Sequence, residues 1–128
     1  MRQHIKRLLE HSSLFISISL SFLILGLSLT NTEDFPDFKI SYLDKIEHVI
    51  AYAILSFFWM TSRETGQVNL KFHKLLLLLI AFGVVIEGLQ MTITTSRTGD
   101  LLDVFANTIG VFLGVLILKI LRPIYLHV

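Results

Sequence analysis

Four stretches of this chain are free of Asp, Glu, Lys, Arg and His, and three of them are shorter than a bilayer is thick. They run from Ser12 to Thr32 (21 residues), Val49 to Ser62 (14), Leu75 to Ile86 (12) and Val104 to Leu118 (15). A spanning helix needs about 20 residues. Extending the last three to that length draws in Asp44, Lys45, Glu47 and His48, then Glu87 and Gln90, then Asp103 and Asn107. Ionisable residues are costly inside a bilayer, so each of these becomes a candidate functional residue with a partner to be found on a neighbouring helix.

Composition supports the membrane reading. With 53% hydrophobic residues in a chain of 128, there is more apolar surface than one soluble core of this size normally buries. The expected fold class is all-α, a single membrane domain built as a four-helix transmembrane bundle, with helices at about 12–30, 43–62, 72–94 and 101–121. The absence of cysteine removes disulfides and thiolate metal sites. No H-E-x-x-H pattern is present, and no metal, cofactor or nucleic-acid partner is expected.

Orientation follows from the distribution of basic residues. Arg2, Lys6, Arg7, Arg63, Lys71, Lys74, Lys119 and Arg122, eight of the eleven Lys and Arg, fall on the N-terminal segment, the middle loop and the C-terminal end. Only Lys39, Lys45 and Arg97 fall on the other side, so the positive-inside rule predicts both termini in the cytoplasm. A cleaved signal peptide is the alternative for the first run, but the run is long for one and no A-x-A-like site follows it. The segment Asn31 to Tyr42, acidic and aromatic around Pro36, is expected to lie along the membrane interface. Ser41 to Asp44 resembles a helix cap, Ser96 to Gly99 reads as a turn, and the fourth helix is expected to close before Pro123.

Helical spacing gathers the polar groups into stripes. Asp44, His48 and Tyr52 stand at i, i+4, i+8; Gly83, Glu87 and Gln90 at i, i+4, i+7; Asp100, Asp103, Asn107, Gly110 and Gly114 at steps of three and four. His48, Glu87 and Asn107 then sit on the order of 7 to 10 Å below their helix ends. Equal depth on three helices predicts one shared pocket at the outer side. Gly110 and Gly114 form a small-xxx-small pair that lets the fourth helix approach a neighbour closely, and Gly83 can do the same for the third.

Asp44-Lys45-x-x-His48 with Tyr52, Glu87-x-x-Gln90, Arg97, and Asp103-x-x-x-Asn107-x-x-Gly110-x-x-x-Gly114, in that order on successive helices, resemble the VanZ-like family of small bacterial membrane proteins. The resemblance covers Asp44 to Gly114. It implies a place in the cell envelope and a link to antibiotic resistance, the family being named for a protein of low-level teicoplanin resistance.

On the residues, Glu87, His48 and Asp44 are the candidate catalytic groups, as base and acid. Arg97, Lys45, Gln90, Asp103, Asn107 and Tyr52 are the candidate substrate-binding groups, Arg97 and Lys45 for a lipid phosphate or carboxylate. Phosphoryl or acyl transfer on a membrane lipid or lipid-linked envelope precursor would be the reaction; no G-x-S-x-G nucleophile is present. Other readings stay open. Asp44, Asp100 and Asp103 can cap helices, Lys45 can snorkel, His48 can be a hydrogen-bonded packing residue, Tyr52 can be an orienting or interfacial ring, and Asn107 can join helices. The set as a whole can be a non-catalytic ion-pair network that binds a head group or fixes packing. A small-solute transporter is the third reading, and in so short a chain it needs a homo-oligomer.

Overall fold

The four apolar runs fold as four helices in the computed structural model, which describes residues 2–30, 41–94 and 100–125. They are α1 (Arg2–Leu29), α2 (Ser41–Glu64), α3 (Phe72–Ile93) and α4 (Leu101–Tyr125). α1, α3 and α4 are long and apolar enough to cross a membrane. Of the interface segment expected from Asn31 to Tyr42, residues 31–40 lie outside the described residues and the last two open α2, while the Ser96 to Gly99 turn with Arg97 also lies outside them.

α2 and α4 run parallel and in register over their whole length. Lys45 meets Asp103 near their starts, Ser56 Oγ donates to the Val111 carbonyl at 2.8 Å midway, and Arg122 meets Glu64 at 3.1 Å near their ends. α2 therefore covers the same depth as α4, although its charged first turns keep it less apolar than the other three. The contact is close because of the two glycines predicted to allow it. A Cβ on Gly110 would collide with the Val49 carbonyl oxygen, and one on Gly114 with the Ala53 carbonyl oxygen and, at 2.9 Å, the Phe57 nitrogen.

α1 runs antiparallel to α2, with Trp59 Nε1 on Ser21 Oγ at 3.1 Å and the Ser17 and Ser62 hydroxyls 3.3 Å apart. α2 ends in a Schellman motif: Gly66 takes φ +79°, its amide donates to the Arg63 carbonyl and the Gln67 amide to the Ser62 carbonyl. α3 then returns, and Gly83 admits Tyr52 and Asn107, each with an atom 3.2 Å from where its Cβ would stand.

The inside of this bundle is more polar than its outside. Ser13, Ser17, Ser56, Ser62, Glu87, Gln90, Asp103 and Asn107 are buried beside Tyr52, Leu55, Leu79 and Val111, while Phe15, Phe22, Leu77, Phe105 and Ile120 face outward. That inversion suits hydrocarbon as the solvent, where apolar surface needs no burial and backbone and side-chain polar groups must be paired internally.

Two expected boundaries are corrected. α1 starts at residue 2, not near 12, because its basic first turns are good helix formers and are held at Leu9 and Leu14 by Gln67. α4 continues through Pro123 to Tyr125. A proline so close to the end removes one ladder hydrogen bond and leaves only two residues beyond it.

Candidate functional site

The parallel start of α2 and α4, meeting the end of α3, brings most of the predicted residues together. His48, one turn above Tyr52 on α2, points at α4, where its Nδ1 lies 2.9 Å from Asn107 Oδ1. Asn107 Nδ2 donates to Glu87 Oε1 on α3 at 3.3 Å, and His48 Nδ1 stands 3.7 Å from that same oxygen. An ionised carboxylate only accepts, so the amide presents its nitrogen to Glu87 and its oxygen to His48. The neutral imidazole then carries its proton on Nδ1 and leaves Nε2 as an acceptor. Nε2 faces Asp44, one turn earlier on α2, at 3.9 Å.

Lys45 ties the two helix starts. Its ammonium contacts buried Asp103 directly and Asp100 at 3.2 Å, with Asp44 at 3.9 Å. Lys45 is thus neither a snorkelling surface lysine nor a free anion holder: it is engaged by acids. Asp100 combines both readings available to it, since Oδ1 accepts from the Leu102 amide at 3.1 Å as a cap of α4 while Oδ2 takes Lys45. That amide first, and Lys45 after it, hold the Asp100 carboxyl below the ordinary carboxylate range.

Two buried polar atoms have no hydrogen-bond partner among the described residues: Glu87 Oε2 and the Tyr52 hydroxyl. Tyr52 is a core ring, 6.3 Å from that of Phe82, and not an interfacial one. Gln90 departs from expectation. Its nitrogen donates to the Ser28 carbonyl of α1 at 2.9 Å, so it joins α3 to α1 and not to the His48 cluster. A position three residues beyond Glu87 is rotated far enough around the helix to meet a different neighbour.

Asp44, His48 and Asp103 offer ligand atoms within 4.8 Å of one another, a set that could hold a cation. Lys45 already holds Asp103 Oδ1 there, so a metal would compete with the ammonium for that carboxylate.

Sequence reasoning missed a second polar seam at the far end of the bundle. Gln67 Nε2 reaches Ser13 Oγ at 2.7 Å and the Leu9 carbonyl at 3.2 Å, while its Oε1 takes the Leu14 amide. The signal was the Ser13, Ser17, Ser21 spacing of four within an otherwise apolar run.

A model of the VanZ/LLP1 family matches residues 2–122, which takes in α1, α2, α3 and all but the last three residues of α4. No curated protein and no solved structure matches the chain.

Proposed function

The chain belongs to the VanZ/LLP1 family, and on that premise we propose that it is a multi-pass membrane protein whose polar end binds and acts on the head group of an envelope lipid or lipid-linked precursor. The observation that carries this reading is the Glu87 carboxylate. It is buried too far inside α3 to cap a helix, one oxygen is held by Asn107, and the other has no partner among the described residues. Such an oxygen is costly unless a donor reaches it, and a ligand hydroxyl or amine supplies one.

The charge balance narrows the ligand. Asp44, Glu87, Asp100 and Asp103 are set against Lys45 and His48, with Lys45 already committed to two of the acids. A head group rich in amino or hydroxyl donors suits these residues better than a bare phosphate, for which Arg97 is the candidate from the sequence. His48 Nε2, facing Asp44, serves as the base, and Glu87 stabilises the imidazolium that forms when it takes a proton, an arrangement suited to phosphoryl or acyl transfer. The bias of basic residues puts this end outside the cytoplasm and both termini inside, with α2 as a fourth span supported by its register on α4. A role in teicoplanin resistance would enter through the lipid handled there.

The second reading is a closed packing network, favoured by the pairs Lys45 to Asp103 and His48 to Asn107 that the chain completes by itself. Mass spectrometry of lipid copurified with wild type and with Glu87→Gln separates the two. The head-group reading expects a defined lipid in wild type that folded Glu87→Gln no longer retains. Identical lipid in both leaves the network reading.

A further inference from the structure

At the opposite end of the bundle a cavity of about 520 Å³ opens between the last turns of α2 and α4 and the first residue of α3. Its floor is apolar, made by Met60, Val115 and Leu118, all buried. Its rim is charged, with Arg63, Lys119 and Arg122 around the single carboxylate of Glu64, and with the Phe72 ring between them.

The rim is not neutral. Glu64 is shared by two arginines, Arg63 Nη1 on one oxygen at 2.9 Å and Arg122 Nη2 on the other at 3.1 Å. Lys119 has no carboxylate partner among the described residues. Its ammonium lies 5.9 Å from the centre of the Phe72 ring, as does the Arg63 guanidinium. Three cations against one acid leave two positive charges in excess around one opening. α3 begins at the same place, and its N-cap residue Lys71 makes no side-chain cap bond, so the amide end of that helix adds to the positive potential.

We propose that this cavity binds an anionic phospholipid, with the phosphate at Lys119 and the arginines and an acyl chain along Met60, Val115 and Leu118. A soluble anion would use the rim and leave the apolar part of the cavity unfilled, and a neutral lipid would fill that part and leave the charge unanswered. The lipid phosphate ester answers both. This site lies at the other end of the helices from His48 and Glu87 and does not rest on their function.

The test is binding of phosphatidylglycerol and of phosphatidylcholine with the same acyl chains to the purified full chain in mild detergent, followed by native mass spectrometry. Lys119→Gln is compared with Lys74→Gln, an exposed lysine at the same end that does not line the cavity, and with Lys119→Arg. Phosphatidylglycerol should bind in preference to phosphatidylcholine. Lys119→Gln should weaken it about fivefold, the factor for one basic residue at an anionic lipid surface, while Lys74→Gln and Lys119→Arg stay near wild type. Equal retention of the two lipids, or equal losses in the two glutamine variants, would overturn the site. Displacement of phosphatidylglycerol by glycerol phosphate at matched concentration would overturn the lipid as occupant and assign the rim to soluble phosphate esters.

Discussion

Asn107 holds three helices at one point, taking His48 of α2 with its oxygen and giving its nitrogen to Glu87 of α3. Removing its side chain leaves buried Glu87 and partly buried His48 each short of a hydrogen bond, so Asn107→Ala should lower stability by about 1–3 kcal/mol in a thermal or denaturant unfolding assay in detergent. An effect below a few tenths would mean that water or another side chain already serves those groups. Asp100 gives a prediction with a sign. Its folded pKa lies below the ordinary value of 3.8, so its contribution to stability is fully present above that value and is lost as pH falls through the lower folded one. The stability difference between wild type and Asp100→Asn should therefore be measurable at pH 7 and should shrink in acid below the ordinary value. A difference that persists unchanged there would assign the effect to the cap geometry and not to the charge.

The fit of α4 on α2 depends on glycines with opposite surroundings to that of Gly26 in α1. Gly114→Ala forces a methyl into the backbone of α2, where nothing can rotate away, and should cost about 1–3 kcal/mol. Gly26 has nothing within 4 Å of the place a methyl would take, and Gly26→Ala should be neutral or stabilise by up to about 1 kcal/mol through helix propensity. Unfolding of the two variants side by side checks the contrast; equal effects would remove the close-approach explanation. These glycines were legible from their spacing of four, as was the alignment of Asp44, His48 and Tyr52, because period and charge both register in a sequence. The start of α1 was not legible, since helix propensity alone does not carry a helix beyond its apolar run and the Gln67 contacts that hold it at Leu9 and Leu14 come from far along the chain. Ser13 and Ser17 were overlooked because an uncharged hydroxyl does not interrupt hydrophobicity, and Gln90 was misdirected because its helix meets α1 on the flank next to α4.

As a whole the molecule has two charged ends joined by an uncharged middle, the acid-rich end at His48 and Glu87 and the basic end at Lys119 and Arg122. The asymmetry gives the topology its expected form: Gly66 and Val128 should label from the cytoplasm and Pro36 and Ser96 from outside. Labelling of Gly66 from outside alone would reverse the map and move the acid-rich end to the cytoplasmic face. The existence of two such ends followed from charge counts along the chain, whereas which side chains pair within each depended on helix rotation, and rotation is set by packing. The central claim is that His48 and Glu87 act as one ligand site through Asn107. It is tested most directly by measuring retention of the copurified lipid in His48→Gln, Glu87→Gln and the double variant, with folding checked by circular dichroism. The account predicts that each single change removes most of the retention and that the double change removes little more, because the groups work as a unit. Independent, additive losses, or full retention in all three folded variants, would contradict it.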